Sequence, residues 1–156
     1  MPKKTPKLLL WSTALLALLL VGVLAARWLW PEGSYQQLTH ECHAEGETQH
    51  CVAFLPSGER IELGRQGALR SLALQQLWLD SAVNLTDARV IMEGRDMYVG
   101  RLHYRLQPGE QSSWQGRGAV GNCIDDEMPW LAHYLFSHRG QQYRISLEFT
   151  IRDGVF

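Results

Sequence analysis

The chain has 156 residues, of which 46% are hydrophobic and 20% charged, and its formal net charge at pH 7 is −1. This length suits one domain of ordinary size with a modest core, beside an N-terminal segment. Lys3, Lys4, Lys7 and Arg27 precede residue 31, so the remainder carries 11 Arg against all 16 Asp and Glu. A mildly acidic domain lacks the basic face that nucleic-acid binding requires, which excludes that class of partner.

Residues 8–30 form a long apolar stretch, LLLWSTALLALLLVGVLAARWLW. As a helix they would measure roughly 34 Å, enough to cross a hydrocarbon core of about 30 Å. The lysines of residues 1–7 predict a cytoplasmic N-terminus, and Trp28 and Trp30 suit the opposite interface. We therefore expect a basic tail over residues 1–7, a transmembrane helix over residues 8–30 and an exterior C-terminal part. A cleaved signal peptide is the alternative, and it places that part in the same compartment.

The chain has three cysteines, Cys42, Cys51 and Cys123. The first lies in the polar residues 31–49, which we interpret as a stalk leading into a domain over residues 50–156. Outside the cytoplasm paired cysteines become disulfides, and an odd number leaves one that is free, binds a metal or links to a partner. A Cys42–Cys51 bridge would close a short hairpin, and we favour it over a local metal site of Cys and His. A bridge from Cys123 to either of the others is the remaining alternative.

The exterior sequence predicts short strands separated by turns. Residues 51–55 and 60–63 flank the turn Pro56-Ser57-Gly58 and predict a hairpin. Residues 143–151 alternate apolar and polar side chains and form the clearest strand. Further strands are predicted over residues 76–83, 88–93, 97–106, 112–120 and 130–136. About seven or eight strands without a helix predict an all-β fold, an immunoglobulin-like antiparallel β-sandwich, with a small closed barrel as the alternative.

Few residues suggest catalysis. Cys123 with His133 or His138 would supply a thiol and an imidazole, but no nucleophile elbow, oxyanion loop or phosphate loop accompanies them, so we expect no enzyme. A soft metal is the sharper hypothesis, because thiolate and thioether ligands select Cu(I). The candidate ligands are Met97, Cys123 and Met128, and ordinary core packing is the alternative for the two methionines.

Four short motifs carry a family resemblance. From residue 93 the chain reads EGRDMYVG, then GRGAVGNC, then EMPW, and it ends with the strand LEFTI. These motifs, with the Cys pair before a Pro-x-Gly hairpin, resemble small proteobacterial membrane-anchored periplasmic proteins similar to FixH and YtkA-like domains. The family pattern is roughly G-x-D-M-x-M-G, G-x-x-x-L-P-x-C, M-x-W and a final F-x-F strand. Met97, Cys123 and Met128 match its Met and Cys positions. Val99 replaces its second Met, and Gly121-Asn122 replaces its Leu-Pro lead-in.

The resemblance implies a periplasmic immunoglobulin-like domain held at the bacterial inner membrane by one pass, with a role in copper handling or haem–copper oxidase assembly. In this hypothesis Met97, Cys123 and Met128 bind Cu(I), and the Cys42–Cys51 disulfide is structural. The implied partners are a Sco/SenC-type copper chaperone or oxidase subunits. The alternative function is a non-metal interaction or assembly subunit of an envelope complex, which binds a partner through its β-sandwich.

Overall fold

The computed structural model describes residues 15–22, 34–98, 100–121 and 126–152. The chain divides into two compact units, Met1–Ser34 and Tyr35–Phe156. In the first unit residues 15–22 are helical, and their leucines are exposed. Within the described ranges no helix is both long enough and apolar enough to span a membrane. The rest of the predicted membrane segment over residues 8–30 lies outside the described residues.

The second unit is all-β, as predicted. Its described strands are β1 (Gln36–Gln37), β2 (His40–Glu45), β3 (Thr48–Phe54), β4 (Arg60–Gln66), β5 (Leu74–Ser81), β6 (Thr86–Gly94), β7 (Arg101–Arg105), β8 (Gln107–Pro108), β9 (Ser113–Ala119), β10 (Glu127–His138) and β11 (Gln141–Arg152). Sheet A has the order β1-β11-β10-β6-β7, and sheet B has the order β2-β3-β4-β5-β9-β8. Only the short β1–β11 pair is parallel among these ladders.

The period-two alternation of the sequence decides which side chains enter the core. In β11 the apolar residues from Tyr143 to Ile151 are buried and the intervening polar residues are not, which confirms the predicted strand. β10 alternates in the same way except at Leu135, which is also buried. The strand is longer than the predicted residues 130–136, because it pairs with β11 on one side and with β6 on the other. The β3–β4 hairpin across the turn at Pro56 is also confirmed.

The two sheets face each other across one core. Its largest fully buried side chains come from both sheets: Ile61, Leu63, Leu77 and Leu79 from sheet B, and Met92, Trp130, Tyr134, Phe136, Ile145, Leu147 and Ile151 from sheet A. Polar contacts also join the sheets. The Tyr134 hydroxyl donates a hydrogen bond to the Gly64 carbonyl. The Arg65 guanidinium lies 4.4 Å from the centre of the Phe149 ring. The predicted β-sandwich is therefore confirmed at this level.

Two segments differ from their predictions. Residues 31–49, interpreted as a stalk, contain β1 and β2, and β2 adds a six-residue edge to sheet B. β2 is almost entirely exposed, so its sequence lacks the apolar alternation that would have revealed a strand. The strand predicted over residues 97–106 begins only at Arg101, because residues 95–97 bend and Gly100 has a φ of +88°.

Candidate functional site

The structure describes two of the three predicted copper ligands. Met128 is the second residue of β10, is 2% exposed and belongs to the core. Met97 lies in the β6–β7 loop, is half-buried and packs against the same core. The Arg95 amide donates a 2.9 Å hydrogen bond to the Pro129 carbonyl, which ties that loop to the start of β10. Both methionines therefore lie at one end of the sandwich, with the Met128 thioether turned inward.

The third predicted ligand, Cys123, lies outside the described residues. Gly121, two residues earlier, lies against Trp130, since a Cβ atom at Gly121 would be 3.2 Å from the ring. Across the described part of the chain no group of three or more His, Cys, Asp or Glu side chains is arranged to hold a metal ion. The copper site remains a prediction.

The predicted Cys42–Cys51 disulfide is confirmed. The two residues are directly opposite in the β2–β3 ladder, and their Cα atoms are 4.1 Å apart. Cys51 is fully buried, whereas Cys42 is exposed on the edge strand. The bridge therefore attaches the exposed strand β2 covalently to the core.

An aromatic platform lies on the outer face of sheet B. The ladders place His50 opposite Gly64 and Gly64 opposite Trp78. Gly64 has no side chain, and the Trp78 indole occupies the space above it: a Cβ atom there would lie 2.5 Å from indole Cζ2. The His50 imidazole stacks beside the indole, with ring centres 5.3 Å apart and planes inclined by 28°. We call Trp78 and His50 together the aromatic platform.

A short polar chain holds the His50 side of the platform. His50 Nε2 lies 3.1 Å from Glu62 Oε2, and Arg60 Nε lies 3.1 Å from the other oxygen of that carboxylate. His50 belongs to β3, whereas Glu62 and Arg60 both belong to β4, so side chains of β4 position the imidazole of β3. These contacts restrict rotation of the His50 ring.

A groove adjoins Trp78 on the side of β9. Its volume is about 380 Å³, and its floor is the backbone of β5 and β9. The cross-strand register pairs the wall residues Gln76 with Arg117 and Trp78 with Gln115, and Asp80 also lines the groove. Burial raises the pKa of Asp80, and the neighbouring Glu62 charge raises it further. We call this the sheet B groove; it offers two amides, a carboxylate and a guanidinium beside an indole.

Sequence reasoning did not single out this groove. The predicted strand over residues 76–83 agrees with β5, in which Gln76, Trp78 and Asp80 lie on one face of the sheet and Leu77 and Leu79 on the other. Nothing local indicated that Gly64 would lie beneath the indole, because that contact depends on the register between β4 and β5.

A second hydrogen-bonded series lies on the outer face of sheet A. Ser146 Oγ is 2.8 Å from His133 Nδ1, His133 Nε2 is 3.1 Å from Glu93 Oε1, and Arg101 Nε donates to the other Glu93 oxygen at 2.7 Å. These are the residue types of an acyl-transfer triad. However, β10 pairs with both of its neighbours here, so its backbone N–H groups are used in the ladders and do not form an oxyanion hole.

Comparison with known proteins leaves the family open. No family model matches the chain. None of the curated proteins matches it either. Among solved structures the chain is similar to the carbohydrate-binding module BhCBM56, in a crystal structure of its bromine derivative. The identity is 12%, the TM-score is 0.38, and the alignment covers 72% of this chain and 99% of that one.

Proposed function

We propose that the exterior domain is a non-catalytic binding module that holds a saccharide in the sheet B groove. The observation that carries this proposal is the Trp78 indole, held over Gly64 at the wall of a groove of about 380 Å³ whose other side chains are polar. A volume of this size lies within the range of small-molecule sites. This proposal is a specific form of the alternative function predicted from the sequence, namely a non-metal module that binds a partner through its β-sandwich.

The chemistry of the groove matches that of a pyranose. A sugar ring has an apolar face of C–H groups and a rim of hydroxyls, each of which both donates and accepts hydrogen bonds. An indole covers the apolar face with little loss of side-chain entropy. Gln76 and Gln115 supply donors and acceptors, Asp80 accepts and Arg117 donates. The opposite charges of Asp80 and Arg117 suit a ligand without net charge.

A titration of the full chain in detergent micelles tests the proposal. The probes are hexasaccharides of glucose and of N-acetylglucosamine, followed by isothermal calorimetry. We expect saturable binding of one of them, which Trp78→Ala weakens by about tenfold or more, equivalent to about 1.4 kcal/mol of lost contact. Phe54→Ala is the matched control, because Phe54 is 59% exposed on the same sheet and does not line the groove. Binding that Trp78→Ala leaves unchanged, or no binding of either probe, would refute the proposal.

Copper handling is the second candidate function, with Met97, Cys123 and Met128 as the Cu(I) ligands. The Arg95–Pro129 hydrogen bond supports it, since it brings the Met97 loop to the strand end that carries Met128. Because Met128 is buried, the start of β10 would have to move for its sulfur to reach a metal. Cu(I) titration against a competing chelator tests this candidate. One-to-one binding that is lost in Cys123→Ser supports it, and no binding to the wild type rejects it.

The location of the domain is part of the proposal. The apolar residues 8–30 support a single-pass anchor in the bacterial inner membrane, and the Cys42–Cys51 disulfide suits an oxidising compartment such as the periplasm. We also propose that the sandwich is immunoglobulin-like. If the domain binds copper, we propose Sco-type chaperones or oxidase subunits as its partners. Alkaline extraction of membranes, with protease digestion of intact and opened cells, tests the anchor and the side on which the domain lies.

A further inference from the structure

A row of arginines crosses the outer face of sheet A. Through the ladders Arg105 is opposite Arg89, Arg89 is opposite Leu135, Leu135 is opposite Arg144, and Arg144 is opposite Gln37. From Arg105 on β7 to Arg144 on β11 the arginines cross three strand spacings, a width of about 14 Å at about 4.8 Å per spacing. We call Arg89, Arg105 and Arg144 the arginine row; all three are exposed.

The arginine row lacks the carboxylate partners that other arginines near it have. Arg101 pairs with Glu93 at 2.7 Å, and Arg152 pairs with Glu127 at 3.0 Å. Among the described residues no carboxylate forms an ion pair with a member of the row. Arg89 donates to the Tyr35 hydroxyl, and Arg144 Nε donates to the Gln37 side-chain oxygen Oε1 at 2.8 Å; both of these acceptors are neutral. None of the three guanidinium groups is therefore neutralised by an ion pair with a described carboxylate.

Like charges in the arginine row lower the stability of sheet A, and this loss needs an explanation. Arg89 and Arg105 are directly opposite in the ladder, and like charges in that position are destabilising. Charge on an edge strand protects against pairing with another sheet, which accounts for Arg105 on β7. It does not account for Arg89 and Arg144, which lie on inner strands. A ligand that brings negative charge does account for them.

The geometry of the row suits phosphate groups at a surface. Arg89 and Arg105 also line a cavity of about 230 Å³, together with the carboxylate residue Asp87 and with Gln107 and Trp114 of sheet B. Leu135 lies on the same outer face but is only 4% exposed. We attribute its burial to the aliphatic stems of the flanking Arg89 and Arg144, whose charged heads remain in solvent. Guanidinium groups bind phosphate oxygens in a bidentate manner. The three exposed guanidinium groups thus offer phosphate contacts along one line.

We propose that the outer face of sheet A lies on an anionic phospholipid bilayer, where the arginine row binds headgroup phosphates. The sheet B groove, on the opposite outer face, would then point away from the membrane. The proposal does not depend on which ligand that groove takes.

Arginine-specific labelling tests the proposal on the full chain in lipid nanodiscs. Phenylglyoxal adducts are quantified by mass spectrometry in discs of phosphatidylglycerol and in discs of phosphatidylcholine. We expect the arginine row to react about threefold or more slowly in phosphatidylglycerol, because anionic headgroups shield it. Arg60 and Arg117, on the outer face of sheet B, should react equally in both discs. About 0.5 M NaCl should restore the reactivity of the row by screening.

Two matched double variants distinguish an effect of the arginine row from an effect of the protein's net charge. Arg89→Gln with Arg144→Gln should abolish the protection of Arg105. Arg101→Gln with Arg152→Gln removes the same charge from paired positions and should leave that protection intact. Equal reactivity of the row in both discs would overturn the proposal, as would equal protection of Arg60 and Arg117. Protection by inorganic phosphate or by polyglutamate in phosphatidylcholine discs would also overturn it, in favour of a small-anion site or an acidic protein partner.

Discussion

The substitution Gly64→Ala tests whether the aromatic platform depends on the β4–β5 register, which places a glycine beneath Trp78. The added Cβ atom would lie 2.2 Å from the Gln49 carbonyl oxygen and 2.5 Å from indole Cζ2, both far inside van der Waals contact. The carbonyl belongs to the neighbouring strand and cannot move alone, so the indole and the β3–β4 ladder must shift. Overpacking of this kind costs about 1–3 kcal/mol, and removing a strand glycine returns about 0.5–1 kcal/mol. We expect a net loss of about 1–2 kcal/mol in the free energy of unfolding.

Urea unfolding measures this loss, and the saccharide titration measures its effect on the groove. We expect the midpoint to fall by about 1 M with an unchanged m-value, and hexasaccharide affinity to fall as in Trp78→Ala. Gly109→Ala is the control, because its Cβ would meet only the movable Ser113 side chain closely, with Oγ at 2.6 Å. A Gly64→Ala protein as stable as Gly109→Ala, with unchanged affinity, would refute the reasoning.

Three further predictions concern charge and the disulfide. Burial and the charge of Glu62 raise the pKa of Asp80, so Asp80→Asn should increase the unfolding midpoint at about pH 7 while weakening saccharide binding. Burial acts to raise the pKa of Glu93, but hydrogen bonds led by that from Arg101 outweigh it, and the folded-state pKa lies below the ordinary 4.5. The ionised Glu93 carboxylate therefore stabilises the fold above pH 4.5, and this stabilisation is lost as the pH falls through the folded-state pKa. The free energy of unfolding of Glu93→Gln should therefore decrease less than that of the wild type as the pH is lowered. Reducing the Cys42–Cys51 bridge should cost about 2.5 kcal/mol, from the loop-closure entropy of a short hairpin, measured as the difference between unfolding curves with and without reductant.

The sequence predicted those features that depend on local patterns. The alternation from Tyr143 to Ile151 was sufficient to predict a strand and its inward face, because successive side chains in a strand point to opposite sides. The hairpin at Pro56 followed from turn chemistry, and the Cys42–Cys51 bridge followed from short spacing and compartment. The exposed strand β2 was missed, since an edge strand that buries little needs no apolar alternation.

The features that make the two outer faces chemically distinct were decided only by the tertiary structure. Trp78 lies over Gly64 because the register of β4 against β5 places a residue without a side chain beneath the indole. The arginine row joins Arg89, Arg105 and Arg144 from three strands, and nothing in their separate sequences shows that they align. The physical reason is common to both: alternation specifies the side of a sheet on which a residue lies, whereas its neighbours across strands are set by register, which only the packing of the whole sandwich determines.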